Sequence, residues 1–284
     1  MAKTKSIPVS PRASLNGRNH TVKSELKNRT AAFQLGHKPP LQFEWAKTIS
    51  PEQWETYQSA IQAIRNAGIP FLLGGGFAMA GFTGRWRNTK DIDFYISKSD
   101  RTRTIAALTA AGFRDYFDDL PYDRKWIYRS TRSGVIVDII WAMANQRAQV
   151  DAQWFENAPT ISIRGETLKV VPMEEFVWCK LYILQRDHCD WTDVLNVLFA
   201  AGARMDWDRL LERLEDDWPL LKSLLTLYGW VCPRSAAELP ESLRRRLKLE
   251  KPEIPKRQKR NRIRLLDSRD WFAALLDRNK PLQV

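Results

Sequence analysis

Two aspartates, Asp91 and Asp93, stand two residues apart in a short apolar segment that predicts a β-strand. Side chains two apart on a strand point to the same face, so both carboxylates face one way while Ile92 and Phe94 face the core. Neighbouring carboxylates repel each other unless a cation lies between them. Mg²⁺ prefers oxygen ligands and takes one or two carboxylates together with substrate phosphates. The pair therefore predicts a Mg²⁺ site, with Mn²⁺ as the alternative ion.

Three consecutive glycines, Gly74, Gly75 and Gly76, follow the apolar strand predicted at 70–73 and lead into a helix-like segment at 77–80. The N–H groups at the start of a helix bind phosphate, and glycine allows the backbone to come close to it. This segment predicts contacts with the phosphates of a nucleotide. The spacing leaves open whether Gly74-Gly75 or Gly75-Gly76 is the functional pair.

A third carboxylate, Asp138, interrupts the apolar segment 134–141. An acid in so apolar a strand is costly to bury without a partner. If its strand lies beside that of Asp91 and Asp93, the three carboxylates would hold one or two metal ions for attack on a nucleotide α-phosphate. Asp138 would then also serve as the base that deprotonates the acceptor hydroxyl. The alternative is a structural acid paired with an arginine.

The elements that must position these residues predict an α+β fold. Ser50 is typical of a helix N-cap, with Pro51 as the first helical residue. Strands and helices are mixed up to a small hairpin at 160–170, and the sequence is helical from 172 to 230, with helices predicted at 172–185, 187–201, 206–216 and 219–230. We predict a mixed sheet flanked by helices (46–170) followed by a C-terminal helical domain (171–232).

The two ends of the chain carry its positive charge. Residues 1–45 hold 8 Lys/Arg against 2 acids, and residues 241–284 hold 14 against 6, whereas the whole chain has a net charge of +12. We predict a disordered basic tail at 1–45 and a basic, proline-containing tail at 233–284 that ends in a helix near 262–277. Such tails favour a polyanion such as RNA. The alternative is that they are merely solvated.

Composition excludes several other classes of protein. Apolar residues make up 44% of the chain and charged residues 27%, which is ordinary for a globular protein. No run of 18 uncharged apolar residues predicts a membrane span, and no apolar segment follows the basic N-terminus as in a secretory signal. Three cysteines form no CxxC pair, which disfavours a disulfide framework or zinc ribbon and predicts a cytoplasmic location.

The glycines, the Thr-Lys-Asp-Ile-Asp segment (89–93) and the later strand with Asp138 resemble the nucleotidyltransferase fold of the DNA polymerase beta superfamily. Residues 84–93 resemble small bacterial members, including abortive-infection toxins and antibiotic-modifying enzymes. The resemblance covers roughly residues 46–230. It implies transfer of an NMP from an NTP with Mg²⁺, phosphate contacts at the glycines, metal ligation by Asp91 and Asp93, and metal and acceptor contacts by Asp138. The chain departs from that pattern in its extra glycine, its long spacer and the absence of a serine after the first glycine.

Further basic residues are candidates for binding the nucleotide. Toxin-like members have a helical lysine followed by an Arg-Asp segment, which implies that Lys180 binds the triphosphate and that Asp187 or Asp190 orients it. The alternative is a helix-start cluster with Asp187 as the cap, acids in the first turn and ion pairs with Arg186. Near the aspartate pair, Arg85, Arg87 and Lys90 would neutralise the triphosphate. Trp86 either stacks on a base or packs against the protein.

The sequence thus predicts an enzyme, a Mg²⁺-dependent nucleotidyltransferase with an NTP substrate and a hydroxyl acceptor. The basic tails favour RNA, such as a tRNA end, while a protein or a small molecule stays open as acceptor. The second hypothesis is a catalytically silent nucleotidyltransferase fold that binds RNA or a partner. The sequence predicts no membrane partner and leaves the oligomeric state open.

Overall fold

The computed structural model describes residues 49–86, 89–254 and 262–267. The predicted N-terminal tail, Arg87 and residues 268–284 lie outside these described residues. Of the predicted terminal helix, residues 262–267 are described and contain a single 3₁₀ turn, Ile263–Leu265.

Five strands form one mixed sheet in the order β1-β2-β5-β4-β3. They are β1 (Leu72–Leu73), β2 (Asp91–Tyr95), β3 (Arg114–Asp115), β4 (Ile127–Arg132) and β5 (Val135–Ile140). β2 and β5 run parallel at the centre, and the other neighbouring strands are antiparallel. The predicted mixed sheet is therefore confirmed.

Alternation of side chains fixes the two faces of the central strands. Ile92 and Phe94 of β2, and Val137 and Ile139 of β5, are fully buried in the core. Because successive side chains on a strand point to opposite faces, the aspartates of both strands share the other face. The register of the sheet thus collects the acids predicted to do chemistry on one surface.

Helices flank this sheet and follow it along the chain. Helix α1 begins at Pro51 with Ser50 as its N-cap, whose hydroxyl accepts a hydrogen bond from the Gln53 N–H, as predicted. Helix α2 begins at Gly75, immediately after β1. The helices up to the β6–β7 hairpin (Thr160–Ile163 and Glu166–Lys169) are α1 (Pro51–Asn66), α2 (Gly75–Thr83), α3 (Arg101–Ala110) and α4 (Ala152–Glu156).

The helical region begins after the hairpin, as predicted. Its helices are α5 (Met173–Leu181), α6 (Trp191–Ala201), α7 (Trp207–Leu214) and α8 (Trp218–Val231). Helices α5 and α6 pack against α2, so the helical region contacts the helix that starts at the glycines. The predicted helices 172–185 and 187–201 are shorter, because the chain between them turns through a bridge that pairs Leu184 with Cys189. The division into two domains stays a prediction.

Residues 233–247 differ from the predicted tail. They form helices α9 (Pro233–Ala236) and α10 (Glu241–Leu247). Leu239, Leu243 and Leu247 are buried in the hydrophobic core, which holds this segment on the protein despite its arginines. The burial of these leucines outweighs the local abundance of charge. No helix among the described residues has the length and hydropathy needed to cross a membrane.

Candidate active site

Three charged side chains form a row across the centre of the sheet. Asp93 of β2 is in register with Asp138 of β5, which in turn is in register with Arg129 of β4. Register partners lie on the same face, and neighbouring strands are about 4.8 Å apart. Asp91 lies one step along β2 on the same face. The structure thus brings the three predicted aspartates together and adds an arginine.

Arg129 holds both oxygens of Asp138. Its Nε donates a hydrogen bond to Oδ1 at 2.7 Å, and its Nη2 donates one to Oδ2 at 2.6 Å. Asp138 is 2% exposed, so this two-point pair compensates the burial of its charge. This is the contact that the alternative interpretation of Asp138 predicted, although Arg129 itself was not foreseen.

The pairing of Arg129 with Asp138 could have been predicted from a turn motif in the sequence. β4 and β5 are joined at Ser133 and Gly134, which both have positive φ angles of 52° and 76°. Two such residues form the tightest kind of hairpin, and a Ser-Gly pair between two apolar segments fits it. Counting outward from that turn pairs residue 132 with 135, and therefore Arg129 with Asp138.

The electrostatics of the row favour a cation. Burial, followed by the charges of Asp138 and Asp91, raises the pKa of Asp93 to about 8. The charges of Lys180 and Arg129 oppose this rise without cancelling it. Burial also raises the pKa of Asp138, against the hydrogen bonds and charge of Arg129. Negative charge at Asp93 is thus costly in the protein without a bound cation.

Helix α1 and the segment before β2 position Asp91. The Tyr57 hydroxyl donates a hydrogen bond to the Asp91 carbonyl oxygen at 3.1 Å, and Gln53 donates one to the Thr89 carbonyl oxygen. The Thr89 hydroxyl donates to Oδ1 of Asp91 itself. One oxygen of Asp91 is therefore already engaged, while Asp93 faces the glycines.

The glycines lie directly against β2. A Cβ atom on Gly75 would lie 1.8 Å from Oδ2 of Asp93, and the φ angle of Gly75 is +44°. A Cβ on Gly74 would lie 2.1 Å from the Tyr95 ring. The Gly74 N–H donates to the Asp93 carbonyl oxygen at 2.9 Å, so it serves the turn and not a ligand. The N–H groups of Gly75 and Gly76 belong to the first turn of α2, where helices leave donors for an anion.

Two of the three aspartates, Asp91 and Asp93, are suited to bind a divalent cation, whereas Asp138 is engaged by Arg129. Asp91 and Asp93 supply two carboxylates beside a phosphate-binding backbone, which is the donor set that Mg²⁺ prefers. Asp138 would join them only if its bonds to Arg129 were shared or exchanged. Accordingly, no group of three or more His, Cys, Asp or Glu side chains within the described parts of the chain has the geometry of a metal site.

Lys180 lies on α5 in an ion-pair cluster next to the carboxylates. Its Nζ donates hydrogen bonds to Asp190 at 2.5 Å and to Asp193 at 2.9 Å. His188 Nε2 contacts the other oxygen of Asp190 at 2.9 Å. Asp187 is exposed and takes no part in these contacts. The structure thus forms an ion-pair cluster at the start of α6, but its N-cap is Asp190 and its cation is Lys180, whereas the alternative interpretation named Asp187 and Arg186, which are both exposed. The charge of Lys180 also acts on Asp93.

The residues between α2 and β2 do not act as one group. Trp86 is 3% exposed and packs edge-on against Phe77, with ring centroids 5.1 Å apart, so it packs against the protein and does not present a face to a base. Arg85 is partly buried after α2, whereas Lys90 is exposed and lines a cavity beside β5. Arg87 lies outside the described residues. Triphosphate contacts by Arg85, Arg87 and Lys90 stay predictions.

Comparison with known proteins identifies the family. The model of the family described as "Uncharacterised nucleotidyltransferase" matches residues 52–236, which is more than half of the chain and includes every site residue discussed above. No curated protein matches the chain.

Several solved structures are similar. The antibiotic-resistance factor ANT(2″)-Ia is 17% identical, with a TM-score of 0.45, over 61% of this chain and 96% of its own. The lincosamide antibiotic adenylyltransferase LnuA is 14% identical, with a TM-score of 0.38, over 52% and 96%. An antigenic nucleotidyltransferase-like protein from Paracoccidioides brasiliensis is 21% identical, with a TM-score of 0.35, over 62% and 93%.

Proposed function

The chain belongs to the nucleotidyltransferase family that matches residues 52–236, and from this premise we propose that it moves an NMP from an NTP to a hydroxyl acceptor at the Asp91–Asp93–Asp138 site. The observation that carries the proposal is the register of Asp93 with Asp138 on parallel strands, with Gly75 against Asp93. This arrangement supports two carboxylates facing a phosphate held at the start of α2.

The glycines would hold the leaving part of the NTP. The first-turn N–H groups of α2 point out of the helix start, and the helix dipole favours negative charge there. The short approach of Gly75 to Asp93 supports contact between these phosphates and the carboxylates. Mg²⁺, or Mn²⁺ in its place, bound by Asp91 and Asp93 would supply charge neutralisation of the phosphates.

Asp138 is the candidate base. A carboxylate has about four lone-pair sites, and the two hydrogen bonds from Arg129 leave room for a third donor. The acceptor hydroxyl would give its proton to Asp138 as its oxygen forms a bond to the α-phosphorus. The bond from that phosphorus to the pyrophosphate then breaks. A raised pKa brings a carboxylate closer to the range in which a base works well.

RNA is the acceptor that we propose, because the excess positive charge of the chain lies at its two ends. A cytoplasmic location accords with such an acceptor.

A second function, a catalytically silent fold, has one observation in its favour. Since Arg129 already neutralises Asp138, this buried carboxylate needs no cation, as in a silent fold that only binds RNA.

Labelled transfer separates these two functions. The full chain is incubated with each α-³²P-labelled NTP and Mg²⁺, together with total RNA or with a cell extract, and the label on RNA, protein and small molecules is measured. Asp93→Asn should reduce transfer by about 100-fold or more, because charge stabilisation is lost in the transition state. Asp208→Asn, at an exposed acid of α7, is the matched control. If no nucleotide labels any RNA, protein or small molecule, the silent fold is supported and the enzymatic proposal is wrong.

A further inference from the structure

A cavity of about 380 Å³ opens at the β5–β4–β3 side of the sheet. Its walls include side chains or backbone of Lys90, Arg114, Tyr116, Thr131, Arg132 and Ile136. None of the contacts of the nucleotidyl-transfer site described above uses this cavity.

The cavity begins next to the row of Asp93, Asp138 and Arg129. Ile136 stands two residues before Asp138 on β5, so it shares the face of Asp138 at a distance of about 7 Å. Ile136 is also in register with Asp91 on one side and with Thr131 on the other. Tyr116 extends the wall toward the row, because the Arg129 guanidinium lies 5.9 Å from its ring centroid.

The glycines and the cavity lie on opposite sides of the carboxylates. Gly74 bonds to β2 at the β1 edge of the sheet, whereas the cavity involves β5, β4 and β3. In phosphoryl transfer, the attacking and leaving oxygens are roughly in line through the phosphorus. If the glycines hold the leaving pyrophosphate, the attacking hydroxyl arrives from the side of the cavity.

The charges of the wall select the kind of acceptor. Lys90, Arg114 and Arg132 are cationic, and Asp119 is the one acid of the wall. Asp119 pairs with Arg114 at 2.8 Å, which leaves the wall with an excess of two positive charges. Lysine and arginine bind phosphate, and a tyrosine ring such as that of Tyr116 contacts a base or ribose. A polycationic acceptor would be repelled.

We propose that this cavity binds a phosphate-bearing acceptor, namely a nucleotide unit of an RNA strand, with its phosphate near Lys90 and Arg132. The inference rests on the proposed function and adds the place in the fold where the acceptor binds. It also gives Lys90 a role on the acceptor side of the row, away from the NTP triphosphate.

A two-stage titration tests the cavity on the full chain. First, each α,β-methylene NTP is titrated with Mg²⁺ by calorimetry, to find one that binds and fills the NTP site. Second, uridine 5′-monophosphate and uridine are titrated, both with and without that analogue. These small probes avoid the basic tails, which would bind a longer RNA. The variants are Lys90→Gln and Arg132→Gln, and the matched control is Lys98→Gln, an exposed lysine beyond the opposite end of β2.

We expect the nucleotide to bind with the analogue present and uridine to bind at least tenfold more weakly. Each cavity variant should weaken nucleotide binding by about fivefold to tenfold, the usual loss for one charge-assisted contact, while Lys98→Gln does not. Equal affinity for nucleotide and nucleoside, no binding of either, or no effect of both cavity variants would overturn the inference. Failure of every NTP analogue to bind contradicts the proposed function instead, and the second titration then still decides the cavity.

Discussion

Arg129 and Asp138 face each other across β4 and β5, and the guanidinium donates two hydrogen bonds, of 2.7 and 2.6 Å, to the buried carboxylate. The pair lies in register with Asp93. The acid that resembles the third catalytic carboxylate of nucleotidyltransferases is thus held by a residue of its own sheet. Its orientation is fixed before any ligand arrives.

Removal of this arginine should destabilise the protein. Arg129→Met leaves Asp138 buried without a counter-charge, and we expect the free energy of unfolding in EDTA to fall by about 2 kcal/mol. Urea denaturation measures this change. Arg246→Met removes an exposed pair with Asp208 and should cost less than about 1 kcal/mol. Addition of Asp138→Asn to Arg129→Met should recover part of the loss, and equal stability of Arg129→Met and the wild type would contradict the structural role of the pair.

Stability without metal should depend on pH through Asp93. Burial and the charges of Asp138 and Asp91 raise its pKa from 3.8 to about 8 in the folded protein. The folded state therefore binds the proton more tightly than the unfolded state, and this contribution to stability is complete below pH 4 and is lost as the pH rises through 8. We expect the melting temperature in EDTA to fall between pH 5 and 9, and to fall less in Asp93→Asn. Asp208→Asn should keep the wild-type slope; identical slopes in all three proteins would exclude Asp93 as the cause.

Gly75 should tolerate no side chain. Gly75→Ala places a Cβ atom against the Asp93 carboxylate at a φ of +44°, so it should disturb both the loop and the carboxylate. We expect a loss of nucleotidyl transfer of about 100-fold or more. Gly84→Ala is the matched control, because Gly84 also has a positive φ, +68°, but nothing lies within 4 Å of its Cβ position. That variant should lose about 1 kcal/mol of stability and little activity. Similar activities of the two variants would show that the close approach does not matter.

Lys180 should contribute to the stability of the protein, and whether it also binds the nucleotide is a separate test. Lys180→Met leaves the buried carboxylates of Asp190 and Asp193 without their common cation. We therefore expect the free energy of unfolding to fall by about 3 kcal/mol. Lys125→Met, at an exposed lysine, should have no measurable effect. Steady-state kinetics then test the prediction that Lys180 binds the triphosphate. A raised KM for NTP in a folded variant supports it, whereas an unchanged KM assigns Lys180 to the ion-pair cluster alone.

The basic C-terminus should contribute to RNA binding beyond residue 254. The buried Leu243 and Leu247 belong to the core, so truncation must begin after Ile254. Residues 255–284 carry nine Lys/Arg against three acids. If four to six of these charges neutralise phosphates, their removal should change the slope of log K against log salt by roughly 3 to 4. A full-length variant tests the effect of charge alone, with Gln substituted at Lys256, Arg257, Lys259 and Arg260. An unchanged affinity and slope in both proteins would show that this segment does not contact RNA.

Local patterns were enough to predict much of the molecule. The alternation in 91–95 determines which side chains enter the core, so Asp91 and Asp93 had to share a face once that strand formed. Ser50 and Pro51 specify a helix start by their own chemistry. The apolar periodicity after residue 172 predicted the helical region. Each of these inferences needs only neighbours in sequence, and the glycine and aspartate motifs were sufficient to suggest the nucleotidyltransferase family.

Other features were decided by contacts between distant parts of the chain. The pairing of Lys180 with Asp190 and Asp193, the burial of Trp86 and the placement of Lys90 on the far side of the carboxylates depend on how helices and strands pack, which no local pattern reports. Residues 233–247 have the composition of a tail, yet leucines spaced along two short helices find the core. Arg129 combines both cases. The Ser133-Gly134 turn specified its register with Asp138, but only the assembled sheet placed that pair beside Asp93. The reason is that the parallel pairing of β2 and β5 joins segments separated by more than 40 residues.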